Sequence, residues 1–323
     1  MTPLRTPSAG PWILRCLLEI FVKFLCLLPP RTALWIGNRA GDIFMVFCPS
    51  KGRLVRDNLS QCTSPLPPGK CAKDFSRSVF RHFGRVGVEF ARLAVLSDDQ
   101  VRELFEDGWT GFEHVMAQLE SGKGAIIFSG HIGNWELVMR RIRIDSPVSV
   151  NTLIRPIKAA TIHHFVLNHR LGFGGGPSIL ADKGAKGILR ALGRGEIVNI
   201  AIDQCAGKDD GAFVPFFDRP ALTYTSLARL SYTLGIPVLP VLSFRREDGI
   251  HHSARFFPPI EPFRNLSKEE SILRQTALCT SFLESAIRSH PEQWIWMHRR
   301  WKTRGLESPV WEKPSTGIAG NRS

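Results

Sequence analysis

The chain has no uninterrupted apolar run of bilayer-spanning length. Its most apolar stretch, Trp12 to Leu28, is broken by Arg15, Glu19 and Lys23, which recur every four residues and line one stripe of a helix. At 1.5 Å per residue that stretch reaches roughly 25 Å, short of the ~30 Å hydrocarbon core. Two readings follow, a short span whose charges reach the headgroups or an amphipathic anchor lying in the membrane plane. A packed soluble helix is the third. No small-residue cleavage site follows, and Pro29-Pro30 ends the helix, which argues against a cleaved signal peptide.

Other absences narrow the function. The seven cysteines are odd in number and form no C-x-x-C pair or His/Cys ligand spacing, so neither a disulfide scaffold nor a zinc site is indicated. Reduced thiols fit a cytoplasm-facing protein. There is no Walker motif, and the glycines of Gly172 to Gly176 read as a flexible turn. His163-His164 and His251-His252 lack a partner set for a metal. No G-x-S-x-G elbow is present, which removes a serine esterase of the α/β-hydrolase kind. The net charge of +13 asks for an acidic partner. Without a helix-turn-helix, zinc-finger or RNP-like pattern, that partner is not nucleic acid, and an anionic membrane suits the charge better.

What is present is a chain of 323 residues, 43% hydrophobic, with no long polar tract and no internal repeat. Phe75, Val79, Phe83, Val86, Phe90 and Leu93 recur at steps of three and four, an amphipathic helix. Arg77, Arg81 and Arg85 lie on another face, as a solvated stripe or a headgroup-binding one. Helices are also expected at Thr32–Phe47 and Lys51–Leu59, with a proline-rich loop from Cys62 to Gly69. From Phe112 onward, strand candidates at Gly124–Phe128, Val148–Ile154, Glu196–Ile202 and Val238–Phe244 alternate with helical runs. Those runs are Asn134–Arg143, Ala159–Leu171, Lys183–Leu192 and Ser226–Leu234. His251 to Phe257 reads as a further strand and Lys268 to Ser289 as a long helix. Such alternation indicates an α/β fold whose sheet has a parallel portion. The expected organisation is an N-terminal membrane anchor over 1–30, a helical lead-in over 31–111, a catalytic α/β unit over 112–307 and a polar tail over 308–323.

One segment carries the chemistry. In Ser129-Gly130-His131-Ile132-Gly133-Asn134-Trp135-Glu136 a histidine and an acid stand five positions apart, where an apolar strand gives way to a helix. A general-base histidine needs an orienting carboxylate. Positions i and i+5 do not share a face of a continuous helix, so the pair converges only if the chain turns between them. Gly130, Gly133 and Asn134 supply such a turn. The strand-to-helix junction also offers free backbone N–H groups for an oxyanion. This reads as an acyl-transfer site, and a satisfied structural His–acid pair is the bland alternative.

Ser129 to Leu137 resembles the H-x4-D/E motif of glycerolipid acyltransferases. The glutamate and the Asn-Trp before it resemble the bacterial lipid A late (lauroyl/myristoyl) acyltransferase family. Further blocks follow in the same order: Ile154-Arg155-Pro156, Ala201-Ile202-Asp203-Gln204, and Phe213 to Phe217 with Pro220-Ala221 and Thr223. A C-terminal signature runs from Pro291 to Arg304, and the blocks span most of the chain from about Arg56. The resemblance implies a mixed sheet flanked by helices, an N-terminal inner-membrane anchor and a catalytic domain on the cytoplasmic side. It implies transfer of a fatty acyl chain from an acyl-carrier-protein or CoA thioester to a hydroxyl of a lipid A precursor, with no bound cofactor or metal. A different glycolipid, a phospholipid precursor or a non-catalytic lipid-binding role are the competing readings. The glutamate in place of aspartate and the Pro291–Arg304 block argue against a phospholipid acceptor, and the intact His131 and Glu136 against a non-catalytic role.

The expected catalytic pair is therefore His131 as base and Glu136 as the acid that fixes its tautomer, with backbone N–H groups near Gly133 or Arg155 receiving the oxyanion. Arg155, Asp203, Asn134, Arg299 and Arg300 are the expected substrate-binding residues. Arg155, on the stiff stem before Pro156, suits a phosphate or phosphopantetheine group. Asp203 ends a strand, where functional residues of α/β folds collect, and reads equally as a cap or loop-orienting acid. The segment His298 to Arg304 reads both as a dock for lipid phosphates or an acidic carrier protein and as a core plug, with Trp294, Trp296 and Trp301 packing or lying at a membrane interface.

Overall fold

Ala125-Ile126-Ile127-Phe128-Ser129 has no polar alternation, the pattern of a strand covered on both faces. In the computed structural model, which describes residues 9–62, 71–155, 157, 159–172, 177–180 and 184–303, this strand, β2 (Ala125–Ser129), is wholly buried at the middle of a seven-stranded sheet. Its neighbours β5 (Ile197–Ala201) and β8 (Val238–Arg245) both run parallel to it. With β1 (Trp109–Thr110), β3 (Val150–Ile154), β4 (Ser178–Leu180) and β9 (His252–Phe256) the order is β1-β9-β8-β2-β5-β3-β4. Only the β8–β9 pair is antiparallel, so the sheet is mixed with a parallel majority.

Parallel neighbours require crossovers, and helices supply them. α7 (Trp135–Asp145), α8 (Ala160–Gly172) and α9 (Gly184–Gly193) link β2 to β3, β3 to β4 and β4 to β5. Successive β2 side chains divide the core. Ala125 and Ile127 pack with Leu137, Val138 and Ile142 of α7, while Ile126 and Phe128 meet Ile188 and Leu192 of α9 and Phe282 and Leu283 of α11 (Lys268–Ser289). A separate hairpin, β6 (Gly211–Phe216) and β7 (Arg219–Tyr224), turns through Phe217 and Asp218 at φ 54° and 61°. Both central residues of this two-residue turn take the left-handed conformation without a glycine or asparagine. α5 (Asp98–Glu103), α6 (Glu113–Glu120) and α10 (Ser226–Leu234) complete the α/β part.

Ahead of it lie α1 (Ala9–Leu27), α2 (Pro30–Phe47), α3 (Pro49–Ser60) and α4 (Ala72–Arg92). α2 crosses α4 at glycine contacts so close that a Cβ on Gly84 would stand 2.0 Å from the Gly37 carbonyl oxygen. Phe75, Val79 and Phe80 carry α4 into the same core as the sheet. The expected N-terminal anchor is corrected in one respect: among the described residues no helix is long and apolar enough to cross a membrane. The charges inside α1 are the physical cause, and α1 is instead tied down, with Leu25 buried beside Ala33, Val88 and Ala91. Arg92 Nη1 donates to the carbonyls of Leu25 and Leu28 at 2.5 and 2.6 Å. The proline-rich loop after Cys62, most of the Gly172–Gly176 turn and the tail from Ser308 lie outside the described residues.

Candidate active site

The in-register pairing of β2 with β5 builds the centre of the site. Ser129 pairs with Ala201, so His131 and Asp203 each follow two residues beyond paired positions, at the carboxyl ends of adjacent parallel strands. His131 Nδ1 lies 2.8 Å from Asp203 Oδ1. Asp203 Oδ2 accepts the backbone N–H of His131 at 2.8 Å and the indole N–H of Trp294 at 2.9 Å. A fully buried carboxylate thus receives three N–H groups, while the imidazole remains about a quarter exposed. The carboxylate accepts a hydrogen bond from Nδ1–H, which keeps that proton on Nδ1 and leaves Nε2 as the nitrogen able to accept one.

Electrostatics follow this geometry. Burial disfavours the charge on Asp203, but the His131 imidazole and the three donors outweigh it and hold the carboxyl down at about 2. Burial likewise works against protonating His131. The charge and hydrogen bond of Asp203, with a contribution from Glu136, win and raise its pKa above the ordinary histidine value.

Glu136 sits differently from expectation. Its carboxylate is held by Arg170 of α8, through Nε at 2.9 Å and Nη2, and accepts the Trp135 indole N–H at 3.0 Å. It acts on His131 through space, and the hydrogen-bonding partner of the imidazole is Asp203. The local reason is the helix start: Asn134 caps α7, accepting the Leu137 N–H at 3.1 Å, so Glu136 already stands in the first helical turn and faces α8. Gly133 takes φ 60°, and a Cβ there would lie 2.1 Å from the Ser243 carbonyl, so only glycine fits. Its N–H donates to the Gln293 carbonyl at 3.1 Å and is therefore not a free oxyanion donor.

His131 opens on a cavity of about 770 Å³, inside the ~300–1,000 Å³ range of small-molecule sites. Its lining combines apolar side chains, among them Val166 and Leu167 of α8, Ile188 and Leu189 of α9 and Leu230 and Leu234 of α10, with the polar and cationic side chains of Arg155, Arg170, Gln204 and Arg229. Arg155 is exposed and lies with its guanidinium carbon 4.6 Å from the Tyr224 ring centre, stacked at the cavity wall. Pro156 is outside the described residues.

The other expected binding residues are dispersed. Asn134 is buried and its amide is committed at both ends, Oδ1 to Leu137 and Nδ2 to Glu89 at 2.8 Å. Arg300 is fully buried, stacked on Phe216, and donates to the Leu222 carbonyl at 2.8 Å and to Thr223 Oγ1. Burial pulls its pKa down to about 10. It braces β7 against the Asp203 loop. Arg299 is exposed and does not line the cavity. Trp294, Trp296 and Trp301 pack in the core with Phe216 and Phe217. In the α4 arginine row, Arg81 and Arg77 pair with Asp42. Sequence reasoning missed Arg170, which carries no motif and reads as an ordinary basic residue in the last turn of a helix.

A histidine held by a buried acid at the carboxyl ends of parallel strands, beside a cavity lined by both apolar side chains and cations, has the geometry that general-base chemistry requires. The family model described as bacterial lipid A biosynthesis acyltransferase matches residues 6–303, and the chain belongs to that family of O-acyltransferases. It is 27% identical over 274 residues to the lipid A biosynthesis lauroyltransferase of Escherichia coli, covering 83% of this chain and 85% of the relative. With the lipid A biosynthesis palmitoleoyltransferase of the same organism it shares 25% over 284 residues, 86% and 87% of the two chains. A phosphatidylinositol mannoside acyltransferase of Mycobacterium tuberculosis is 21% identical over 249 residues, 76% of each chain.

Proposed function

We propose that this chain transfers a fatty acyl group from an acyl thioester to a hydroxyl of a lipid A precursor. The observation that carries the mechanism is the 2.8 Å bond between His131 Nδ1 and Asp203. His131 Nε2 removes the proton from the acceptor hydroxyl, and Asp203 keeps the tautomer and stabilises the imidazolium. The alkoxide oxygen attacks the thioester carbonyl carbon, forming a tetrahedral oxyanion. Arg170, fixed by Glu136 beside His131, is the cation that meets that charge. The carbon–sulfur bond then breaks, the ester forms and the thiolate leaves with the proton from the imidazolium. The acyl chain packs against the apolar side chains of the cavity, and Arg155 or Arg229 pairs with phosphate on donor or acceptor.

The donor is an acyl-carrier-protein or CoA thioester, and the place of work is the cytoplasmic face of the inner membrane. In-plane attachment is supported by the outward faces of α1 and α2, where Leu17, Ile20, Phe24, Trp35, Val46 and Phe47 are all exposed. The exposed cations Lys23 of α1 and Arg31 of α2 accompany them, complementary to anionic headgroups. A second reading, a different glycolipid acceptor, is favoured by the similarity to the mannoside acyltransferase.

The test is mass spectrometry of reactions combining the full chain in membranes with a series of acyl thioesters and two acceptors, underacylated lipid A and a mannosylated phosphatidylinositol. A gain of one acyl chain on lipid A supports the first reading, and a gain on the mannoside alone replaces it with the second. No gain on either, from folded protein, rejects both.

A further inference from the structure

Behind the His131 turn lies a buried ionic cluster that the acyl-transfer steps do not use. Glu89 of α4 receives Arg245, at the end of β8, through both Nη1 and Nη2. His252 Nε2 stands 3.2 Å from Glu89 Oε1. A mostly buried carboxylate matched by one guanidinium satisfies its own charge. The fourth contact is the informative one: Glu89 Oε2 accepts from Asn134 Nδ2 at 2.8 Å.

Asn134 is the last residue before α7, and its amide joins that helix start to Glu89. The residue before it is clamped from the same side. His82, seven positions before Glu89 on α4 and fully buried, has Nε2 3.1 Å from the Gly133 carbonyl. Burial, with Arg245 and Arg85 nearby, keeps this imidazole neutral, down at about 3, so Nε2 donates as an ordinary N–H. On the other side, Gly133 N–H donates to Gln293, whose side-chain amide bonds both backbone groups of Arg245 at 2.7 and 3.0 Å. The turn between β2 and α7 is thus fixed by α4 and β8. None of Glu89, Arg245 or His82 lines the cavity.

We propose that Glu89 is a positioning residue for acyl transfer, holding Asn134 so that the turn presents His131 to Asp203 and the acceptor hydroxyl. The proposal rests on the acyl-transfer reading above. Displacing a general base by about 1 Å costs on the order of a hundredfold in rate. The hydrogen-bond polarity supplies a specific test. Glu89→Gln leaves one acceptor oxygen where Arg245 Nη1 and Nη2, His252 and Asn134 Nδ2 now share two, so its NH2 meets a donor whichever way the amide turns, and Asn134→Asp sets a carboxylate against Glu89. The double variant Glu89→Gln/Asn134→Asp restores one donor facing one acceptor, keeps the net charge and keeps an α7 cap.

The experiment measures kcat and KM for each variant in the full chain, with its thermal midpoint. It also records the downfield proton resonance of His131 Nδ1–H, assigned by its loss in His131→Ala. Each single change is expected to lower kcat about ten- to a hundredfold at little-changed KM and to shift the resonance. The double change is expected to recover most of both. Asn134→Ser, which keeps a cap but drops the bond to Glu89, gives the same direction of loss if Glu89→Gln folds poorly. An unmoved resonance, a retained kcat in folded single variants, or a double variant no better than either single overturns the assignment. If no acceptor is acylated by the wild type, the acyl-transfer reading fails while the resonance still decides whether Glu89 positions His131.

Discussion

Asp203→Asn separates the His131–Asp203 account from one in which Glu136 orients the histidine. Asp203 offers two acceptor oxygens to three N–H groups, Oδ1 to His131 Nδ1 and Oδ2 to His131 N and Trp294 Nε1. Asparagine offers one acceptor and one donor in the same space. With its NH2 at the Oδ2 position, two buried N–H groups lose their acceptor, at about 1–3 kcal/mol each. With its NH2 at the Oδ1 position those two bonds survive, and the imidazole must accept at Nδ1 and carry its proton on Nε2. The second arrangement is favoured, so the fold persists and the base is in the wrong tautomer. That tautomer error costs about ten-thousandfold, a barrier increase of about 5 kcal/mol. The assay is steady-state acyl transfer beside a thermal melt. The pH profile adds a sign. His131 must be neutral to act, so wild-type kcat/KM rises with pH through its raised pKa and levels off above it. Removing the Asp203 charge leaves burial less opposed, so the acid limb of the residual activity moves to lower pH. A folded Asp203→Asn protein within tenfold of wild-type rate, with an unmoved limb, would refute the reasoning.

Three further outcomes are expected. Gly84→Ala forces α2 away from α4, since the new Cβ would meet the Gly37 carbonyl at 2.0 Å; overpacking of this kind costs about 1–3 kcal/mol or more, read as a lowered thermal midpoint. Leu230→Trp fills part of the cavity and shifts preference toward shorter acyl chains in a competition among thioesters, whereas an unchanged profile would remove the chain from that part of the cavity. Ile20→Glu with Phe24→Glu places two charges on the exposed face of α1 and releases the protein from anionic vesicles in a flotation assay; retention would contradict in-plane docking.

The sheet was legible because its central strands are continuous apolar runs between turn signals. β2, β5 and β8 fall within a residue or two of the expected positions, and α10 and α11 match their expected bounds. The β6–β7 hairpin was not, because Phe217 and Asp218 carry no glycine or asparagine to announce a left-handed turn. In the site, His131 was found from its neighbours in sequence. Spacing points to Glu136 as its partner because it reveals only acids nearby in the chain, whereas Asp203 reaches it through strand register across 72 positions. Arg299 and Arg300 show the converse limit. Adjacent cations with the same sequence signal divide into one exposed side chain and one buried brace, and only packing against Phe216 and β7 separates them.

The central claim is that His131, held by Asp203, is the base of an acyl transfer to a lipid hydroxyl. The most direct measurement is a single-turnover reaction of labelled acyl thioester with underacylated lipid A, run with wild-type and His131→Ala protein of equal thermal stability. The account predicts one added acyl chain with the wild type and a near-complete loss of transfer in the variant. A folded His131→Ala protein that transfers acyl groups at a rate comparable to the wild type would contradict it.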